Sequence, residues 1–108
     1  MPKGNFKQTK GNIMKSPTVY MMSNKKNGVL YIGVTSYLER RIYEHKMQYD
    51  RGFTTKYNVK DLVWYERHST MENAITREKK MKKWKRRLKI SLIENMNPEW
   101  KDLYATLA

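Results

Sequence analysis

Tyr20, Tyr31, Arg41 and His45 are the side chains whose types and spacing suit chemistry on a phosphodiester. A guanidinium fork neutralises phosphate oxygens through paired hydrogen bonds, and a phenol or an imidazole can move a proton. Taken singly, each has a structural explanation: a surface arginine, a histidine near a helix C-terminus, a tyrosine in a strand. The spacing argues for more. Tyr20 and Tyr31 sit in neighbouring apolar runs, and Arg41 and His45 are four residues apart, so they share one face of a helix.

The elements that must position them follow from local pattern. Thr18-Val19-Tyr20 opens one apolar run and Tyr31-Ile32-Gly33 closes the next, with Ser23-Asn24-Lys25-Lys26-Asn27-Gly28 between them. Two such runs joined by a loop ending in Asn-Gly predict a β-hairpin. With period two, Val19, Met21, Leu30 and Ile32 face the core, and Tyr20, Tyr31 and Gly33 face the opposite side. Gly33 leaves that face bare, so the phenols are expected to border an open, shallow surface that a large substrate approaches closely.

Ser36-Tyr37-Leu38-Glu39 has the capping-box pattern and predicts a helix to about Tyr49, with Leu38, Ile42 and Tyr49 on its buried stripe. Arg40 lies about 100° around that helix from Arg41 and is expected in solvent. Residues 51–60 read as a polar loop carrying Phe53, Lys56 and Tyr57. Leu62-Val63-Trp64-Tyr65 predicts a third strand. Ser69-Thr70-Met71-Glu72 is a second capping box, opening a helical pattern to about Asn95. The apolar stripe moves from Ala74, Ile75 and Met81 to Trp84, Leu88 and Leu92, which predicts a break near Trp84. Asn97-Pro98-Glu99 resembles a fresh helix start, with Trp100, Leu103, Tyr104 and Leu107 at helical spacing. The fold class is α+β: a small three-stranded antiparallel sheet flanked by helices in ββαβαα order.

Glu78 is the one acid in a stretch where nine of thirteen residues, Arg77 to Lys89, are Lys or Arg. On a helical wheel it lies among Ala74, Ile75 and Met81, toward the protein. Its position leaves two readings open. One is an i,i+4 ion pair with Lys82, worth only ~0.3–0.5 kcal/mol. The other is a hard carboxylate ligand for one Mg²⁺, with waters and a phosphate completing the shell. The basic residues spread around the axis, which suits backbone contact better than base reading. Arg40, Lys46, Lys56, Lys82, Lys83 and Arg86 are the candidate nucleic-acid contacts. Trp84 is assigned to the core and His68 to a strand-to-helix turn.

The chain has 108 residues and a formal net charge of +13, so one small domain and a polyanionic partner are expected. Residues 1–16 carry four lysines and no acid and are expected to form a flexible basic arm before a single domain at 17–108. Cysteine is absent, which excludes disulfides and thiolate metal sites and suits a reducing cytoplasm. There is no membrane-spanning run, no signal peptide, no zinc spacing, no phosphate-binding glycine loop and no serine-centred triad. Binding to an anionic membrane has little support, because the apolar stripes are committed to the core.

The ordered set Thr18-Val19-Tyr20, Tyr31-Ile32-Gly33, Leu38-Glu39-Arg40-Arg41 with His45, and then Glu78, resembles the GIY-YIG nuclease superfamily. It is most similar to small stand-alone bacterial members, in which YIGVT, LERR followed by EH, a helix with REK and KKW, and NPEW recur in this order. The resemblance covers about residues 17–104. Thr18 and Val19 replace the Gly and Ile of the first motif, at backbone and core positions. It implies divalent-metal-dependent hydrolysis of nucleic acid with Mg²⁺ or Mn²⁺, acting on DNA, with RNA as the other polymer to consider. Tyr20, Tyr31, Arg41 and His45 then match the family tyrosines, arginine and histidine, Glu78 the metal-binding glutamate, and Asn97 an auxiliary asparagine of some members. Tyr31 is expected to act as general base, with Tyr20 holding its oxygen or the attacking water and His45 relaying a proton or orienting the phosphate. Positive charge from Arg41 and from a cation at Glu78 favours the phenolate and the transition state. The sequence has no second domain to read DNA, so low specificity, structure selectivity or a targeting partner is expected, with DNA repair or recombination as the setting. The rival is a module that keeps the fold and binds nucleic acid without cutting.

Overall fold

The computed structural model describes residues 15–48 and 52–107. Most of the expected arm, and Tyr49 on the predicted helix stripe, lie outside these residues. Thr18–Ser23 (β1) and Leu30–Thr35 (β2) form the predicted hairpin. In its loop Asn27 takes the left-handed conformation, with φ 58°. β3 spans Asp61–Arg67, and the sheet order is β2-β1-β3, antiparallel throughout. β1, in the middle and covered on both faces, has all six of its residues buried.

Helix α1, Leu38–Lys46, starts at Tyr37 rather than through the expected box at Ser36. The Ser36 carbonyl accepts Ser16 N–H at 2.7 Å, and Thr35 Oγ1 accepts Tyr37 N–H at 3.0 Å, so Ser36 stays with the strand end. The expected polar loop contains a single helical turn, α2, Phe53–Lys56. Helix α3 spans Met71–Lys82, with Thr70, one residue past the expected Ser69, accepting Asn73 N–H at 3.1 Å. The break falls at residues 83–85, as the stripe shift predicts, and α4 runs Arg86–Met96.

Both faces of the sheet are covered. On one, Val19, Met21, Ile32 and Trp64 pack with Ala74 and Met81 of α3 and Ile93 of α4. On the other, Tyr20, Met22 and Leu62 pack with Leu38 and Ile42 of α1, and with Val59. The β1–β3 register pairs Met21 with Trp64 and Met22 with Leu62, so Val63 is an extra residue on β3.

The C-terminal segment departs from the expected helix. Asn97 closes α4 instead of opening a new one, Trp100 takes φ 58°, and only a 3₁₀ turn forms at Leu103–Thr106. Trp100 packs with the α3–α4 face, whereas Leu103, Tyr104 and Leu107 pack with the α1 face. One continuous helix cannot place that stripe on both sides of a sheet.

Candidate active site

The hairpin register sets the site. Tyr20 stands opposite Gly33, and Tyr31 stands opposite Met22, so both phenols leave the same face, as period two requires. That face is not bare. Tyr20 is 1% exposed, and its own ring lies over Gly33, where an added Cβ would be 2.4 Å from the hydroxyl. The glycine makes room for Tyr20, not for a substrate. Tyr31 is half-buried and forms part of the wall of an open groove.

α1 places His45 below the phenols. Tyr20 Oη and His45 Nε2 are 3.0 Å apart, and His45 Nδ1 and Thr54 Oγ1 of α2 are 3.1 Å apart. Tyr31 meets the His45 ring edge-on at 5.4 Å and the Tyr20 ring at 6.2 Å. Burial first, then the nearby Tyr31 oxygen, push the Tyr20 phenol well above its ordinary range, and the Arg41 guanidinium only partly offsets this. Tyr20 therefore stays protonated at neutral pH. Donation from its O–H to Nε2, and from Nδ1–H to Thr54, is the arrangement consistent with that.

Arg41 interacts with the Tyr20 hydroxyl and donates to Glu44 Oε1 at 3.1 Å. Its side chain is 29% exposed against 64% for Arg40, which pairs with the other oxygen of Glu44 at 3.4 Å. The helical register thus separates the two arginines as expected. Both still border a small groove with Thr35, Tyr37 and Glu44.

Glu78 is buried on α3, and Lys82 Nζ lies 2.7 Å from its Oε2. The ion-pair geometry is therefore present. The Lys82 side chain is 56% exposed, so water screens this pair. Lys82 also lines a groove of about 300 Å³ with Leu30, Tyr31, Ile32, Phe53 and Lys89. No group of three or more His, Cys, Asp or Glu could form a closed metal cage among the described residues. Glu78 itself does not line that groove, and α3 packs on the sheet face opposite Tyr20 and Tyr31; Lys82, one turn on, is the residue of α3 that reaches it. A single hard carboxylate of this kind would suit Mg²⁺, which keeps several waters and shares its remaining positions with substrate phosphate.

The basic candidates divide. Lys83 and Lys56 are exposed, and Lys56 Nζ stands 5.3 Å over the Tyr57 ring. Arg86 Nη2 donates to the carbonyls of Asn27 and Gly28 at 2.8 and 2.6 Å, tying α4 to the hairpin loop. Lys46 forms a close ion pair with Asp102, donates to the Lys60 carbonyl at 3.0 Å and lies over the Tyr104 ring. This lysine clasps the C-terminal segment. Asn97 is buried, with Nδ2 donating to the carbonyls of Val63 at 3.2 Å and Lys101 at 2.7 Å, so it serves the extra residue of β3. His68 pairs with Glu66, which also holds Arg77.

Three features escape a linear reading. Thr54, a buried partner of His45, sits in a stretch whose composition suggests only a loop. Asp102 accepts the N–H of Leu62 and of Tyr104 besides its ion pair. Phe53 stacks on Tyr31 at 6.0 Å and meets Tyr57 at 4.7 Å, forming an exposed aromatic row beside the groove. Phe53 and Tyr57, four residues apart and so on one face of a helical turn, were a hint of that row.

The family model described as the GIY-YIG catalytic domain matches residues 16–91. No curated protein and no solved structure is significantly similar to the chain.

Proposed function

This chain belongs to the GIY-YIG family, a nuclease-type domain with nucleic acid as its substrate, and on that premise we propose that it is a DNA endonuclease assisted by a divalent cation. The observation that carries the reading is the meeting of Arg41, His45 and Tyr31 around the Tyr20 hydroxyl, with Tyr31 itself in the wall of a lysine-lined groove.

Tyr31, as the phenolate after releasing its own proton to solvent, takes a proton from a water in the groove; the water oxygen forms the new bond to phosphorus as the bond to the leaving deoxyribose oxygen breaks, and that oxygen takes up a proton from solvent. Tyr20 remains neutral, with its O–H given to His45 and its oxygen accepting from Arg41, so it positions these two groups beside Tyr31, while Thr54 holds the far side of His45. Arg41 neutralises the non-bridging oxygens, whose charge grows in the transition state. A Mg²⁺ or Mn²⁺ ion at Glu78 would supply further positive charge to the phosphate and the leaving oxygen. The cations of α3 and the groove contact phosphate rather than base edges, which supports low sequence specificity or recognition of DNA shape. Such a cut fits DNA repair or recombination, and targeting by a partner protein is the alternative to low specificity or shape recognition.

The test is incubation with plasmid, single-stranded, branched DNA and RNA, in Mg²⁺, Mn²⁺ or EDTA, with Glu78→Gln alongside. Metal-dependent cutting lost in Glu78→Gln, with DNA binding kept, is the expected outcome. Binding without cutting on every substrate would favour the non-catalytic module, and unchanged cutting by Glu78→Gln would reduce Glu78 to a partner of Lys82.

A further inference from the structure

We infer that Phe53 and Tyr57 form a stacking platform for an unpaired DNA base beside the reacting phosphate, so that the domain acts on strands whose bases are not held in a duplex. The inference rests on the nuclease reading above and names its substrate class. Phe53 is 44% and Tyr57 41% exposed, although both are large aromatics in a domain with two covered sheet faces to take them. Their rings continue from Tyr31 in one row, with Phe53 tilted only 29° from the Tyr31 plane.

The row is anchored to the site. Thr54, the residue after Phe53, turns inward and holds His45 Nδ1, while its neighbour turns outward into the groove. The same helical turn therefore fixes the histidine and presents the ring. Lys82 and Lys89 line that groove, and Lys56 Nζ lies over one face of the Tyr57 ring at 5.3 Å, so cations flank the aromatic row. An apolar partner would find these lysines unfavourable, whereas a polynucleotide satisfies both, with phosphates on the ammonium groups and a base face on the ring. In a duplex both faces of a base are covered by its neighbours, so only an unpaired or extruded base can use the row.

The test is equilibrium binding in EDTA, with a single strand and a duplex of the same sequence, the strand also carrying 2-aminopurine. The protein is expected to prefer the single strand and to quench the 2-aminopurine emission. Phe53→Ala should weaken single-strand binding by about tenfold with little change on the duplex, Phe53→Trp should restore it, and Phe53→Leu should not. Equal loss on both substrates, full binding by Phe53→Leu, or unquenched fluorescence would overturn the platform. Cutting in Mg²⁺ that is indifferent to Phe53 would sink the platform and leave the nuclease reading intact. Quenching that depends on Phe53 without cutting of any DNA would do the reverse.

Discussion

Tyr20 and Gly33 face each other across β1 and β2, and the tyrosine hydroxyl occupies the space that a Cβ on Gly33 would need, 2.4 Å away. The φ of Gly33 is not in the left-handed region, so the requirement is room rather than backbone freedom. Tyr20 cannot easily retreat, because its ring is buried and its hydroxyl meets His45.

Gly33→Ala should therefore destabilise the domain by about 1–3 kcal/mol through overpacking. In a Tyr20→Leu background, where the clashing ring atoms are gone, the same change should cost at least about 1 kcal/mol less. A double-mutant cycle by urea unfolding checks this, and additive effects would mean that the two residues do not compete for one space.

The protonation of Tyr20 has a thermodynamic consequence. Burial and Tyr31 hold its phenol above the ordinary value, so the neutral form is favoured by folding. This contribution is complete below the unfolded value of ~10 and is lost as pH rises toward the folded one. The stability gap between the parent protein and Tyr20→Phe should be constant up to about pH 9.5 and narrow as pH rises beyond about 10. A gap that stays constant in denaturant unfolding beyond about pH 10 would show that Tyr20 ionises normally.

Arg41→Ala should lower the cleavage rate by about 10²–10³, the scale of losing one stabiliser of developing oxyanion charge. Arg40→Ala, at the more exposed neighbour, should act mainly on binding. Single-turnover rates beside binding constants separate the two, and the opposite assignment would mean that α1 presents its other face to the phosphate.

Lys46 is expected to act on stability. Asp102→Ala removes the acceptor of two backbone N–H groups and the partner of Lys46, and should cost about 1–3 kcal/mol. Lys46→Met should lower the melting temperature by several degrees with little change in DNA affinity. A loss of affinity at unchanged melting temperature would return Lys46 to the nucleic-acid surface.

Local pattern was enough for the hairpin, the third strand, the shared face of Tyr20 and Tyr31, the placing of Arg41 and His45 on one helix face, and the break near Trp84. Each is a consequence of periods 2 and 3.6 acting over a few residues. The ordered motifs were likewise visible, and the family model agrees with them over residues 16–91. What pattern could not supply was the far side of each contact. Period two put Tyr20 on the correct face but could not tell that α1 covers it. The positive charge of Lys46 looked like that of Lys83 until Asp102, distant in the chain, was beside it. The Phe53–Lys56 turn is too short to be stable alone and is held by Thr54 against His45, so composition suggested a loop. Backbone geometry repeats locally and is written in neighbouring residues. Burial, pairing and the direction of a buried proton depend on which distant segment packs over them, and that was decided only by the tertiary fold.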